Sequence, residues 1–192
     1  MASTYNYLGI ELMATGENAG TWGTKTNTNL NIIQQAASGY HAQDISGGAQ
    51  TTALLITDGD DTTTGLTNAA RNLIINLTGT ITGNQIVTVP DSVEKSYIVR
   101  NGTTGSFTVQ FKTFSGTGFT FSGTDKGTRL CYADGTNVVD VNAAFTTINQ
   151  FKLPASDGTS GQAIVTDGSG TLSFGSAGIT TGKAIAMAIV FG

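Results

Sequence analysis

Apolar and polar positions along the chain recur with two different periods. Near the start, Tyr5, Tyr7 and Glu11 alternate with Leu8, Ile10 and Leu12, the period-2 pattern of a strand with one apolar face. The glycines of Thr15–Gly23 then read as a loop. From Thr28 the spacing lengthens. Leu30, Ile33 and Ala37 fall three and four residues apart, Ile32 and Ala36 sit beside them, and Gly39 closes the run. This predicts a helix of about ten to twelve residues capped by Asn27 or Thr28. The helix carries almost no charge, so protein is expected to cover most of its circumference.

The stretch from Ala49 to Asn142 reads as a succession of short strands: Thr52–Thr57, Asn72–Thr78, Gln85–Val89, Ser96–Arg100, Phe107–Lys112, Thr128–Ala133 and Val138–Val141. Clusters of Gly, Asn, Asp and Pro separate them, as in an antiparallel β-sandwich or open barrel. Asn101–Gly105 reads as a hairpin loop, and Asp134-Gly135 as a tight turn. Beyond Asn142 the chain thins. Ala143–Phe151 reads as a short helix or linker that Leu153-Pro154 would interrupt. A hairpin of Gln162–Thr166 and Thr171–Phe174 follows, around Asp167-Gly168-Ser169-Gly170. Three segments result: 1–48 with the helix, 49–142 as the β-domain, and 143–192 as linker and C-terminal segment. Within the last, Ala155–Gly192 has fewer than forty residues and makes no independent core, so it must bury itself against other chains or against the middle domain.

Composition narrows the functional classes. Of 192 residues only 11% are charged, while 26 are glycine. A net charge of -4 and the lack of any Lys/Arg cluster leave no phosphate-neutralising surface, so nucleic acid is not an expected partner. The N-terminus shows no basic or apolar export signal, and the longest apolar run, Ala184–Phe191, is too short to span a bilayer. Synthesis in a cytoplasm and no membrane insertion are therefore expected. Strands clad in hydroxyls rather than charges can be desolvated against identical neighbours without stranding ions, which suits a rigid assembly.

Candidate chemistry is sparse. His41, the only histidine, would have to serve any Ser-His-Asp or Cys-His arrangement, and its polar surroundings read as a solvent-exposed loop. Cys131, the only cysteine, reads as a buried small hydrophobe. Asp58-Gly59-Asp60-Asp61 is the one local acidic cluster; its spacing departs from known calcium loops and favours a solvated turn. Trp22, Tyr97 and Tyr132 could stack on sugar rings, against the commoner reading as packing residues. No cofactor, catalytic group or metal site is nominated, and the chain is not expected to be an enzyme.

Two signatures carry a resemblance. Thr15-Gly16-Glu17-x-x-Gly20-Thr21-Trp22-Gly23-x-x-Thr26-Asn27-x-Asn29-Leu30 resembles the N-terminal regions of tail-fibre-like virion proteins of tailed phages of aquatic bacteria. Leu153-Pro154-x-x-Asp157-Gly158-Thr159-x-Gly161-Gln162, continuing through Thr166–Phe174, resembles phage fibre shafts, in which short strands from three chains wind about one axis. Thr180–Met187 is also similar to the ending of short marine-phage structural proteins. The resemblance implies a homotrimeric short tail fibre or fibre-attachment protein of a virion, whose partners are its own copies and other virion proteins. A capsid decoration or head fibre, and a host-surface carbohydrate-binding module, are the alternatives.

On this reading Trp22, Leu30 and Ile33 anchor the N-terminal segment. Ala184–Val190, where Ala alternates with larger apolar residues, forms a strand in which Ile185, Met187 and Ile189 close the oligomer. The bland alternative has that strand complete its own chain's sandwich. Tyr97 and Tyr132 are the residues for a glycan, should one bind.

Overall fold

The computed structural model describes residues 2–141, 147–148, 151–176, 178, 185 and 188–190. The chain divides into two units, Met1–Asn142 and Ala143–Gly192. The boundary expected after residue 48 falls in a turn inside the first unit.

The first unit begins with β1 (Thr4–Tyr5), β2 (Glu11–Leu12) and helix α1 (Trp22–Ser38). Then come β3 (Tyr40–Asp44), β4 (Gln50–Ala53), a 3-10 turn (Ala69–Arg71), β5 (Ile74–Thr78), β6 (Gln85–Val89), β7 (Glu94–Asn101) and β8 (Val109–Thr113). It ends with β9 (Gly118–Phe121), β10 (Thr128–Asp134) and β11 (Val138–Asp140).

The pairing is the defining feature. Strands β3, β5 and β7 pair in parallel in one sheet, and β4, β6 and β8 in parallel in another. From Ile74 to Leu77 each β5 residue lies against the β7 residue 24 positions on, as Ile74 on Ile98. The same offset holds for β6 on β8, as Gln85 on Val109. The turns between the sheets keep it too, since Thr80 bridges Thr104. The chain therefore winds as a parallel β-solenoid with one strand per sheet in every coil. From first coil to second the offset grows to 34 at Tyr40 on Ile74. The extra length folds out as the Asp58–Asp61 loop and the 3-10 turn.

After three coils the direction reverses. β9 runs antiparallel to β8 and β10 antiparallel to β7, and β11 folds back on β10. The sheet orders are β11-β10-β7-β5-β3 and β4-β6-β8-β9, and neither closes into a barrel.

Side chains alternate across each strand, so one side of each sheet feeds a single core that includes Ile75, Leu77, Val87, Val99, Phe111 and Phe121. Tyr97 meets Phe111 edge-on at 5.7 Å, and Phe119 meets Phe121 at 5.2 Å. Over this aromatic end lies Arg129, its guanidinium 5.2 Å from the Phe121 ring centre and paired with Asp125 at 2.7 Å and with Asp140. At the opposite end β3 and β4 are the terminal strands of their sheets. Here Gln43 Nε2 donates to Asp44 O at 2.9 Å, and Gln50 Nε2 to Ser46 O at 2.9 Å. These amides occupy carbonyls of the first coil that would otherwise invite another strand.

The second unit contains β12 (Thr147–Ile148) paired with β13 (Phe151–Lys152), and the hairpin β14 (Gln162–Thr166) with β15 (Leu172–Ser176). The Asp167 carboxylate accepts the amides of Ser169 at 2.7 Å and Thr171 at 3.0 Å, which fixes the hairpin turn.

The protein is mainly β, as its strand pattern predicts, but several expectations are corrected. The first unit's main sheets are mixed rather than antiparallel throughout: four pairings are parallel and three antiparallel. Period-2 strands between Gly/Asn turns look alike in both architectures, and here the turns of the three coils, from β3 to β8, lead to the other sheet, while only β8–β9 and β10–β11 turn back along a neighbour. Asn101–Gly105 is accordingly a corner from β7 towards β8, not a hairpin loop. Gly105 there has φ +101°, and a side chain on it would strike Ile81 of the coil next to it. The stretch holding His41 is strand β3 rather than a loop.

Helix α1 starts at Trp22, with Thr21 as N-cap, well before the predicted Thr28. Gly39 ends it in extended conformation, so close to Gln35 and Asn72 that a side chain there would collide with both. At 185 and 188–190 the backbone is helical, where a strand was expected.

Candidate functional site

Helix α1 has the reverse of the usual surface-helix arrangement. Its inner side is largely polar and is tied down by hydrogen bonds. Asn29 Nδ2 donates to Glu11 O at 2.9 Å and its Oδ1 accepts the Glu11 amide at 2.9 Å. Lys25 Nζ lies 2.9 Å from Glu11 Oε2. The hydrogen bonds from Lys25 and from the Asn18 amide hold the Glu11 carboxyl below the usual carboxylate range. Asn31 Nδ2 donates to Asp61 Oδ2 at 2.6 Å, and Gln35 Nε2 to Asp61 O. Ile32 is the helix's only buried residue.

The outer side carries Trp22, Leu30 and Ile33, which are 65%, 57% and 48% exposed. Leu30 points about 200° around the axis from Ile32. A surface helix normally turns its apolar stripe to the core; α1 turns it to solvent.

Arg71 is the hub of this attachment. It is fully buried, and its Nε donates to Leu8 O at 2.8 Å, Nη2 to Thr57 O at 2.7 Å, and Nη1 to Gln35 Oε1 at 3.1 Å and to Asp60 O. One guanidinium thus joins the N-terminal segment, the Asp58–Asp61 loop and α1. Asn68, in the left-handed region at φ 56°, supports the same loop through Thr57 N and the Asp60 carboxylate.

A second apolar surface lies on the outer face of the five-stranded sheet. Tyr40, Ile74, Ile98 and Leu130 are successive register partners across β3, β5, β7 and β10. Tyr40 and Leu130 are exposed, and Tyr132, itself exposed, pairs with Ser96 on one side and Val139 on the other. Tyr40 Oη accepts Asn76 Nδ2 at 3.0 Å. Sequence reasoning missed this surface although a signal exists. Ile74-Ile75, Ile98-Val99 and Leu130-Cys131 are apolar doublets whose second members are buried, so the first must face outward.

The remaining nominated residues are placed as follows. Ile185 and Ile189 are exposed, and Met187 lies outside the described residues. Tyr97 is fully buried, with its hydroxyl donating to Ala70 O at 3.0 Å, so it is corrected from glycan contact to core residue. Tyr132 stays accessible. His41 is half-buried on β3, its Nε2 hydrogen-bonded with Gln43 Oε1 at 3.1 Å, rather than exposed in a loop.

Cys131 is buried as expected, and burial pushes its thiol up to about 12. In the Asp58–Asp61 loop the Asp60 carboxylate accepts the Thr62 amide and Asn68 Nδ2, while Asp61 accepts Asn31. Among the described residues, no three His, Cys, Asp or Glu side chains converge to hold a metal ion.

Lys95 was not anticipated. Its ammonium donates to Asn72 O at 3.0 Å and lies 3.9 Å above the Tyr97 ring. Burial pulls it down to about 7. Among the described residues no helix is long and apolar enough to cross a membrane. No known protein family, curated protein or solved structure matches the chain.

Proposed function

We propose that the protein is a structural component of a phage virion, a homotrimeric short tail fibre or fibre-attachment protein that works by assembly rather than catalysis. One observation carries this reading: from residue 151 to residue 190, no described residue is buried. Phe151, Ile164 and Val165 are exposed although they lie on strands. An isolated two-stranded hairpin is marginal in water, so this unit draws its stability from other protein. Three copies would shelter such strands, in keeping with the resemblance of Leu153–Phe174 to fibre shafts. The outward apolar stripe of α1 supports the same conclusion from the other end of the sequence.

The test is the mass of the purified full chain by light scattering at micromolar concentration, combined with its location and copy number in intact particles. Three times 19.7 kDa and a multiple of three copies at a tail vertex are expected. A single-chain species at high concentration overturns the reading, and hundreds of copies over the shell reassign the protein to decoration. A second reading, host-glycan binding, is favoured by the exposed Tyr132 and Tyr40 on one sheet face. Its test is loss of glycan-array signal in Tyr132→Ala.

A further inference from the structure

We infer that the outer side of α1 is the seam along which copies of this chain meet, so that three α1 helices pack side by side about the assembly axis. The inference rests on the homotrimer reading above and adds to it the surface that makes the contact. Gly23, Thr26, Leu30, Ile33 and Ala37 repeat at intervals of three and four, the spacing of a helix–helix seam. The core-facing positions Lys25, Thr28, Ile32 and Gln35 form a separate row, turned well away from that seam, and are half-buried or buried against their own chain. The two rows meet only at Thr26, which is half-buried, while Gly23, Leu30, Ile33 and Ala37 are exposed: the helix can be tied to its solenoid through one and to neighbouring copies through the other.

Three features select a second copy of this chain as the occupant. First, a threefold seam brings identical side chains into the same layer, which excludes charges of one sign. From Trp22 to Ser38 the only charged residue is Lys25, and its ammonium is paired with Glu11 at 2.9 Å. Second, Gly23 and Ala37 are small and exposed and flank the larger Leu30 and Ile33, so the backbones can approach at both ends. Third, the helix is held rigidly before assembly. Asn29, Gln35 and Asn31 fix its rotation about its own axis through bonds to Glu11 and to the loop that Arg71 organises. That rotation is the one that presents Leu30 and Ile33 outward. The Trp22-to-Ala37 seam is about 22 Å long, roughly two heptads, enough for a contact between preorganised helices though not for a free-standing coiled coil.

The experiment uses the full chain in three forms. In the first, Leu30→Asp with Ile33→Asp, both residues are exposed, so the solenoid should keep its near-ultraviolet signal and melting profile while the light-scattering mass falls threefold to one chain. In the second, Ile33→Cys, mild oxidation should join two copies by a disulfide, read on a non-reducing gel. Ser38→Cys, exposed on the same helix but off the seam, should cross-link at least about tenfold more slowly. The buried Cys131 leaves the background clean. Retention of the trimer by the double Asp variant, or equal cross-linking at 33 and 38, overturns the seam while leaving the trimer intact. A wild-type chain that is monomeric in the same measurement removes the trimer reading and the seam together.

Discussion

Lys95 shows how a single residue can work against its own fold. It projects to the inner side of β7, where its ammonium has a carbonyl and an aromatic ring as neighbours, and burial lowers its pKa to about 7. Free lysine titrates near ~10.4. Between those values the unfolded chain binds one more proton than the folded one, so this residue's contribution makes stability rise as pH rises from about 7 to about 10. Below pH 7 its full cost is present. Lys95→Met should therefore be more stable than wild type at pH 6, with the difference shrinking by up to ~1.4 kcal/mol per pH unit above 7. Paired urea melts at pH 6, 7, 8 and 9 measure this, and parallel pH profiles for the two proteins refute it. Tyr97 and Cys131 titrate above this window, since burial raises both.

At the scale of elements, the N-terminal segment and α1 are held to the solenoid by polar ties far more than by apolar burial. Arg71 supplies donors to three backbone carbonyls and to Gln35. Replacing it with Ala leaves those acceptors buried and unpaired, and about 3 kcal/mol or more should be lost. Hydrogen exchange should accelerate first at Gly59, whose amide donates to Gly9 O at 2.8 Å and links the N-terminal segment to the loop. A uniform loss of protection across β5 to β8 would instead assign Arg71 to the core. Arg71→Lys should recover only part of the loss, because an ammonium cannot reproduce the planar fork that reaches Leu8, Thr57 and Asp60 together.

For the whole molecule, every described buried residue lies in the first unit. A fragment of residues 1–142 should accordingly keep the near-ultraviolet signal of Tyr97 and its aromatic neighbours and unfold in one cooperative transition. Residues 143–192 alone should lack stable structure at low concentration. A fragment 1–142 without cooperative unfolding would show that the second unit contributes to the solenoid's stability. The reversed last coil with its Arg129 lid covers one end of the winding, while at the other end β3 and β4 stay the terminal strands and Gln43 and Gln50 occupy the carbonyls of Asp44 and Ser46.

The sequence by itself determined the local elements. Alternation placed β5, β6 and β10 within a residue or two of their true ends, Asp134-Gly135 marked the β10–β11 turn, and the apolar setting of Cys131 declared its burial. It also held the outward-facing sheet positions, in the paired apolar residues of β5, β7 and β10. Which strands pair was decided only by the tertiary structure. Between Ile74–Val89 and Ile98–Thr113, the stacked positions share only Ile74/Ile98 and Thr80/Thr104. A coil asks only for inward apolar groups and a corner that turns, and many sequences satisfy both, so no repeat is visible. The extent and orientation of α1 were settled the same way. Gly23 and the Thr/Asn run are weak helix formers, and contacts with Glu11, Asp61 and Arg71, distant in the chain, both extend the helix to Trp22 and turn its polar side inward.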